Sequence, residues 1–186
     1  RYIFTQGHET AGDTESSVKI GYIDVRKEKG FTLKETINNS RPESGEANDF
    51  TLISDDSESI TAAHGGDLGG LNNNDREDGL TFTISGYNET EGADNYTLYG
   101  NGFNGIVVAD PADFGGKAGD TLNLEDIKLN NFKTVVTNKE GGIVNLNNVV
   151  FEATETMDVV NDGTLTLKGN TFFDKGVSGN GTLETQ

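Results

Sequence analysis

The chain has 186 residues, with 14 Lys+Arg against 31 Asp+Glu and no Cys. A net charge of −17 would repel a nucleic-acid backbone or an anionic membrane surface, and the lack of Cys excludes disulfides, thiolate metal sites and a cysteine nucleophile. No apolar run approaches the roughly 18 residues that span a bilayer, so this segment is not expected to insert directly into a membrane.

Gly accounts for 25 residues, Pro for 2, and hydrophobic residues for 32%. Low hydrophobicity at such a charge ordinarily goes with disorder. Here the apolar residues fall in short alternating runs, among abundant Asn, Asp, Gly and Thr and few helix formers. That mixture suits many short strands joined by tight turns, an all-β protein.

In chain order, the opening at Arg1 lacks a signal-peptide pattern and reads as a mature or trimmed fragment. Residues 18–25 alternate as a strand: Val18, Ile20 and Tyr22, then Ile23 and Val25 after a one-residue slip. Thr32-Leu33-Lys34-Glu35 is a capping box, and Leu33 and Ile37 share a face at i, i+4. The pattern predicts a short helix ending by Asn38 or Asn39, followed by a polar loop at 40–48. From Phe50 onward strand follows strand. Leu80-Thr-Phe82-Thr-Ile84 alternates inward and outward, and Ile106-Val107-Val108 is a short apolar strand. The stretch from Leu80 to Leu122 is expected to hold two coils with a loop at 110–120 inserted. Further polar loops fall at 55–58 and 72–78.

The last third repeats. Leu122, Val144, Leu165 and Leu183 recur at nearly even steps, the last one shorter, with Leu124, Leu146 and Leu167 two positions on. Leu129, Phe151 and Phe172 follow five positions later, once per unit. Val135-Val136, Val159-Val160 and Val177 lie between units. A period of roughly 20 residues with three short strands per unit is the arithmetic of a solenoid. Like residues would stack about 4.8 Å apart, as three internal columns. Asn and Gly at the corners would supply left-handed backbone angles. The expected fold is therefore all-β: a right-handed parallel β-helix, a three-faced solenoid with a short N-terminal capping helix. Residues 1–49 form the lead-in strand and cap, and residues 50–186 about five to six coils. Nothing in Leu183-Glu-Thr-Gln186 reads as a cap, so either the native chain continues or another copy covers that end.

Phe31-Thr-Leu-Lys-Glu-Thr-Ile37-Asn-Asn resembles the S-L-R-E-A-I segment that opens many bacterial surface β-helix proteins. Asn48-Asp-Phe-Thr-Leu-Ile53 stands where their first strand stands, and Leu80-Thr-Phe-Thr-Ile-Ser-Gly86 resembles their L-T-I-x-G coil. Gly141-Gly-Ile-Val-Asn-Leu-Asn-Asn-Val-Val-Phe151 and Asp162-Gly-Thr-Leu-Thr-Leu-Lys-Gly-Asn-Thr-Phe172 are similar to the coils of autotransporter passengers and polymorphic outer-membrane proteins. The resemblance covers roughly residues 18–183. It departs from the family at Ile143, where Ala is typical, at Lys34 and Thr36 of the opening motif, and at Phe173-Asp-Lys-Gly176, which lacks the Asn of F-x-x-N. It implies an exported protein displayed on a bacterial cell surface, serving adhesion or self-association. The implied partner is a host-cell or matrix ligand, or another copy of the chain.

Catalytic chemistry is sparse. His8 lies in the leading tail and His64 in a Gly-rich loop, neither beside a nucleophile elbow or an H-E-x-x-H helix. The outward positions Asn123, Asn145, Thr166 and Lys168 supply no stacked carboxylate pair, so no enzyme is expected and no catalytic residue is assigned. The alternatives to an adhesin passenger are a fibre subunit and a polysaccharide-binding or polysaccharide-cleaving β-helix. His64-Gly-Gly-Asp67 through Asp78 loosely resembles a calcium nonapeptide without a second copy. It reads first as a solvated acidic turn, and Asp67, Asn72, Asn74, Asp75 and Asp78 are its candidate Ca²⁺ ligands. Four N-x-[ST] sequons, at Asn38, Asn88, Asn95 and Asn180, are what an Asn- and Thr-rich chain yields by chance. Tyr87, Tyr96, Tyr99 and Phe103 cluster in one short stretch. Exposed, they could stack on a carbohydrate ring or a partner; otherwise they pack beneath the inserted loop.

Overall fold

The computed structural model describes residues 33–34, 37, 48–52, 58–62, 66–73, 79–86 and 96–186. The chain divides into two compact units, Arg1–Gly30 and Phe31–Gln186, and the described residues all belong to the second. The predicted strand at 18–25, Thr32 and Glu35 of the capping box, and both histidines lie outside the described residues.

Nearly all the described regular structure is strand, and among the described residues every strand pairing is parallel. One sheet runs β1 (Asn48–Leu52), β4 (Thr81–Gly86), β7 (Thr121–Asn130), β9 (Ile143–Glu152), β11 (Thr164–Lys168), β13 (Thr182–Thr185). Beside it, β2 (Glu58–Ser59) pairs β5 (Thr97–Tyr99), which pairs the second half of β7. The other sheet runs β12 (Val177–Ser178), β10 (Met157–Asn161), β8 (Thr134–Asn138), β6 (Ile106–Val108), β3 (Gly69–Gly70). From β5 onward the chain alternates between the sheets, so the crossover each parallel pair needs is a strand of the other sheet.

The register follows the repeat. Phe82, Leu122, Val144, Leu165 and Leu183 are partners in succession, as are Ile84, Leu124, Leu146, Leu167 and Thr185. In the second sheet Ile106, Val136, Val159 and Val177 align likewise. As far as Leu165, Leu146 and Val159 these columns are buried and merge into one core, which Leu33 and Ile37, both helical and both fully buried, also join.

The long strands β7 and β9 each bend once. Their burial alternation slips at Asp126 and Asn148, which hold φ of 51° and 53°. Gly169 follows in the same place with φ 58°. Asp and Asn tolerate the left-handed region better than branched residues, and the Asn148 amide donates to Asp126 Oδ1 at 3.0 Å. Asn131 (φ 56°) and Ala153 (φ 53°) make a second bend before β8 and β10. The left-handed corners expected from Asn and Gly are therefore present, with Ala153 as a member the composition did not suggest.

Two expectations are corrected. Phe172 does not continue the third column: it forms an isolated bridge with Val150 and is 62% exposed. Phe173 goes inward instead and stacks on Phe151, ring centroids 5.2 Å apart. One more residue separates Leu165 from its inward aromatic than separates Val144 from Phe151, and the inward position shifts by one. Nor do two coils lie between Leu80 and Leu122. Strand β4 pairs directly with β7, Phe82 beside Leu122, so a single passage carries insertions before β5 and after β6.

Polar ladders accompany the columns. Asn145 donates to Asn123 Oδ1 at 2.8 Å, and Asn123 to Thr83 Oγ1 at 3.2 Å. Thr166, expected outside, continues this row but is buried between Asn145 and Glu184. A second ladder is internal. Asn138 donates through Nδ2 to Asn161 Oδ1 at 2.8 Å, Thr164 O at 3.1 Å and Gly142 O at 3.2 Å, and Asn161 donates to Thr182 O at 3.0 Å. Replacing Asn138 by Ala should lower unfolding free energy by about 2–4 kcal/mol, since buried carbonyls lose a shared donor, while Asn123→Ala should cost about 1 kcal/mol or less. Urea denaturation midpoints of the two variants check the ordering.

Candidate functional site

The site forms on the outer face of the second sheet. Gly70, Val107, Thr137, Val160 and Ser178 stand in one row by strand register. The neighbouring positions Ile106, Val136 and Val159 are buried in the core, so alternation turns this row outward. Its first member has no side chain, and the loop at 110–120 fills that space: a Cβ on Gly70 would run into the Phe114 ring.

The loop is held at both ends. Asp110 Oδ1 accepts the Ala112 and Asp113 amides at 3.0 and 3.3 Å, while the Asp110 carbonyl accepts those of Phe114 and Gly116 at 3.3 and 2.8 Å. A carboxylate closing the turn that starts at its own residue is the device Asp supplies in turns. At the other end Asp120, fully buried, receives the Asn73 amide at 2.7 Å and the Leu80 N–H at 2.8 Å on Oδ1, and the Lys117 N–H at 2.7 Å on Oδ2. Together these contacts set Phe114 over Gly70.

Beside Phe114 the row opens into a groove of about 330 Å³. Val107 and Val160 give it apolar walls, and Thr134 and Thr137 add hydroxyls. Asp67 and Asn104 also line it. Asp67 Oδ1 accepts the Asn104 N–H at 2.8 Å and Oδ2 accepts its side-chain amide at 3.1 Å. Among the described lining residues Asp67 is the one ionisable group, so the surface is suited to hydrogen bonding and apolar contact rather than to proton transfer. The core interior offers less room: a gap of about 10 Å³ between Leu98, Leu124 and Val136 has apolar walls and is at the lower limit of space for one water.

The predicted aromatic cluster divides. Tyr96 is buried, Phe103 is partly buried against the core with its ring near Gly66, Tyr99 is 37% exposed, and Tyr87 lies outside the described residues. The described members do not make one exposed platform. Of the candidate calcium ligands, Asn74, Asp75 and Asp78 lie outside the described residues. Asp67 is engaged with Asn104, and Asn72, half-buried, is two positions past Gly70. Among the described residues no three acidic or histidine side chains gather as a metal site would need.

Phe114 and Thr137 were not singled out from sequence, and Val107 and Val160 were read only as strand residues. The loop that carries Phe114 was, but its packing depends on Gly70 lying beside Val107, which comes from a distant part of the chain. The chain matches no family model, no curated protein and no solved structure. Asp120→Ala should free the Leu80 and Lys117 amides together, lowering stability by about 2–4 kcal/mol and speeding hydrogen exchange at both. Exchange measured by NMR, with Asp113→Ala as an exposed-loop control, checks it.

Proposed function

We propose that this chain is a segment of a bacterial cell-surface protein, wound as a right-handed parallel β-helix with three faces, whose lateral groove mediates attachment. The exclusively parallel pairing at nearly even spacing along β7, β9, β11 and β13, with one left-handed bend within and one just after each of β7 and β9, supports the winding. Right-handedness rests on the general rule for parallel crossovers. The motif resemblance of residues 31–37 and of the repeats supports the location. The observation that carries attachment is the groove itself: a loop fixed at both ends places an aromatic ring beside an outward row on a rigid sheet. Functional residues on a loop held by a regular scaffold are a common arrangement for binding.

A binding role is favoured over cleavage because glycoside hydrolysis uses two carboxylates, and the described groove residues include one. Calcium in the acidic loop stays a part of the proposal that titration can test directly. Cells displaying the chain should adhere to host-cell or matrix coatings above background. Phe114→Ala should reduce that adhesion several-fold at unchanged display. Equal adhesion by the variant would remove the groove from the mechanism.

Self-association is a second reading, favoured by the rung at β12 and β13. Leu183, in the column of fully buried Leu165, is 54% exposed, and Val177 is 38% exposed. A strand layer from another copy would bury both, as a continuation of the same chain would. Light scattering across concentration should then show growth into larger species that Leu183→Lys suppresses. A monomer at every concentration would dismiss this reading.

A further inference from the structure

We propose that the groove beside Phe114 binds a neutral oligosaccharide, an inference that rests on the attachment reading and names its ligand class. A sugar ring presents an apolar C–H face and a rim of hydroxyls. The groove offers the matching pair. The Phe114 ring lies on the backbone of Gly70 and borders the space together with Val160. Thr134 and Thr137 each bring a hydroxyl that both donates and accepts. The Asp67 carboxylate has accepted two hydrogen bonds from Asn104 and retains acceptor capacity for sugar hydroxyls.

The charge pattern separates ligand classes. No Lys or Arg is among the described residues lining the groove, and the chain carries −17 overall, so uronates, sulfated glycans and phosphates meet repulsion without a counter-charge. A cationic ligand would find one carboxylate, Asp67, in a groove otherwise walled by apolar side chains and hydroxyls that its charge does not need. A neutral ligand meets neither obstacle. The volume of about 330 Å³ is at the lower end of the roughly 300–1,000 Å³ typical of small-molecule sites, which suits a short oligosaccharide segment.

Gly70 is the positioning residue. Its backbone has no left-handed requirement, but a side chain there would occupy the place of the Phe114 ring. Gly70→Val should therefore move the ring out of the groove.

Isothermal titration of the full chain with cellohexaose, mannohexaose and chitohexaose tests the proposal, with hexagalacturonate and a heparin hexasaccharide as anionic probes. At least one neutral probe is expected to bind. Phe114→Ala and Gly70→Val should each weaken it about tenfold or more, and Thr137→Val, nearly isosteric, should weaken it several-fold at an unchanged melting temperature. Binding of the anionic probes alone would overturn the proposal. So would neutral binding that survives both Phe114→Ala and Thr137→Val. If no oligosaccharide binds but displayed chain still adheres in a Phe114-dependent way, the ligand class is wrong and attachment stands; if adhesion is absent too, both readings fail.

Discussion

The side-chain amide of Asn138 stands at the corner where the chain leaves β8 for β9, and Asn161 stands at the equivalent corner between β10 and β11. The Asn138 nitrogen reaches three acceptors, Asn161 Oδ1 and the backbone carbonyls of Gly142 and Thr164. Gly142 and Gly163 press against this amide so closely that a Cβ on either would collide with it, and Gly181 bears on Asn161 in the same manner. Asn161 serves as acceptor and donor at once, taking the Asn138 amide on Oδ1 and giving its own to Thr182 O, so the two amides link successive layers as a hydrocarbon could not. The layers cannot slip past each other without breaking this stack, and a slip of one residue would turn every inward column outward. The outward row of the groove is therefore fixed by a contact inside the corner.

That dependence explains how a chain with 32% hydrophobic residues forms a core at all. Each layer needs only a few inward side chains, because the layers above and below complete their burial: Val144 and Leu165 are both fully buried by neighbours one repeat away. The remaining positions are free to carry charge. Acidic residues such as Glu140, Glu152, Glu155 and Asp162 are all exposed, where water screens their repulsion. The polar composition that resembles disorder is the exterior of a narrow core.

Much of this architecture was legible in the sequence because a repeat writes its register into the spacing of like residues. The columns through Leu122, Val144 and Leu165 and through Leu124 and Leu146 needed only counting. Counting failed where the period changes. Phe172 and Phe173 are adjacent aromatics, and only the bend at Gly169 and the bridge to Val150 decide which one turns inward. It failed again between β4 and β7, where insertions lengthen one passage to the size of two. The groove was illegible for a different reason. Its ring, row and polar pair come from segments brought together by β3 pairing β6 at an insertion-lengthened spacing, and Gly70 contributes by the side chain it lacks.

The same register sets how a ligand would lie. Val107, Thr137 and Val160 belong to three successive strands, so the row runs across the strands and offers a new side chain about every 4.8 Å. Phe114 closes the row at Gly70, and in the other direction it continues to Ser178, which is exposed. A short ligand would engage the ring and the two threonines; a longer one could extend only toward Ser178, since Phe114 occupies the other end. The groove is thus polar in the directional sense, one end set by an aromatic ring on glycine and the other left to the stacking of further strands. An insertion in one passage and a missing side chain in another turn a uniform sheet face into a surface with a defined end, which simple repetition of the layers would not produce.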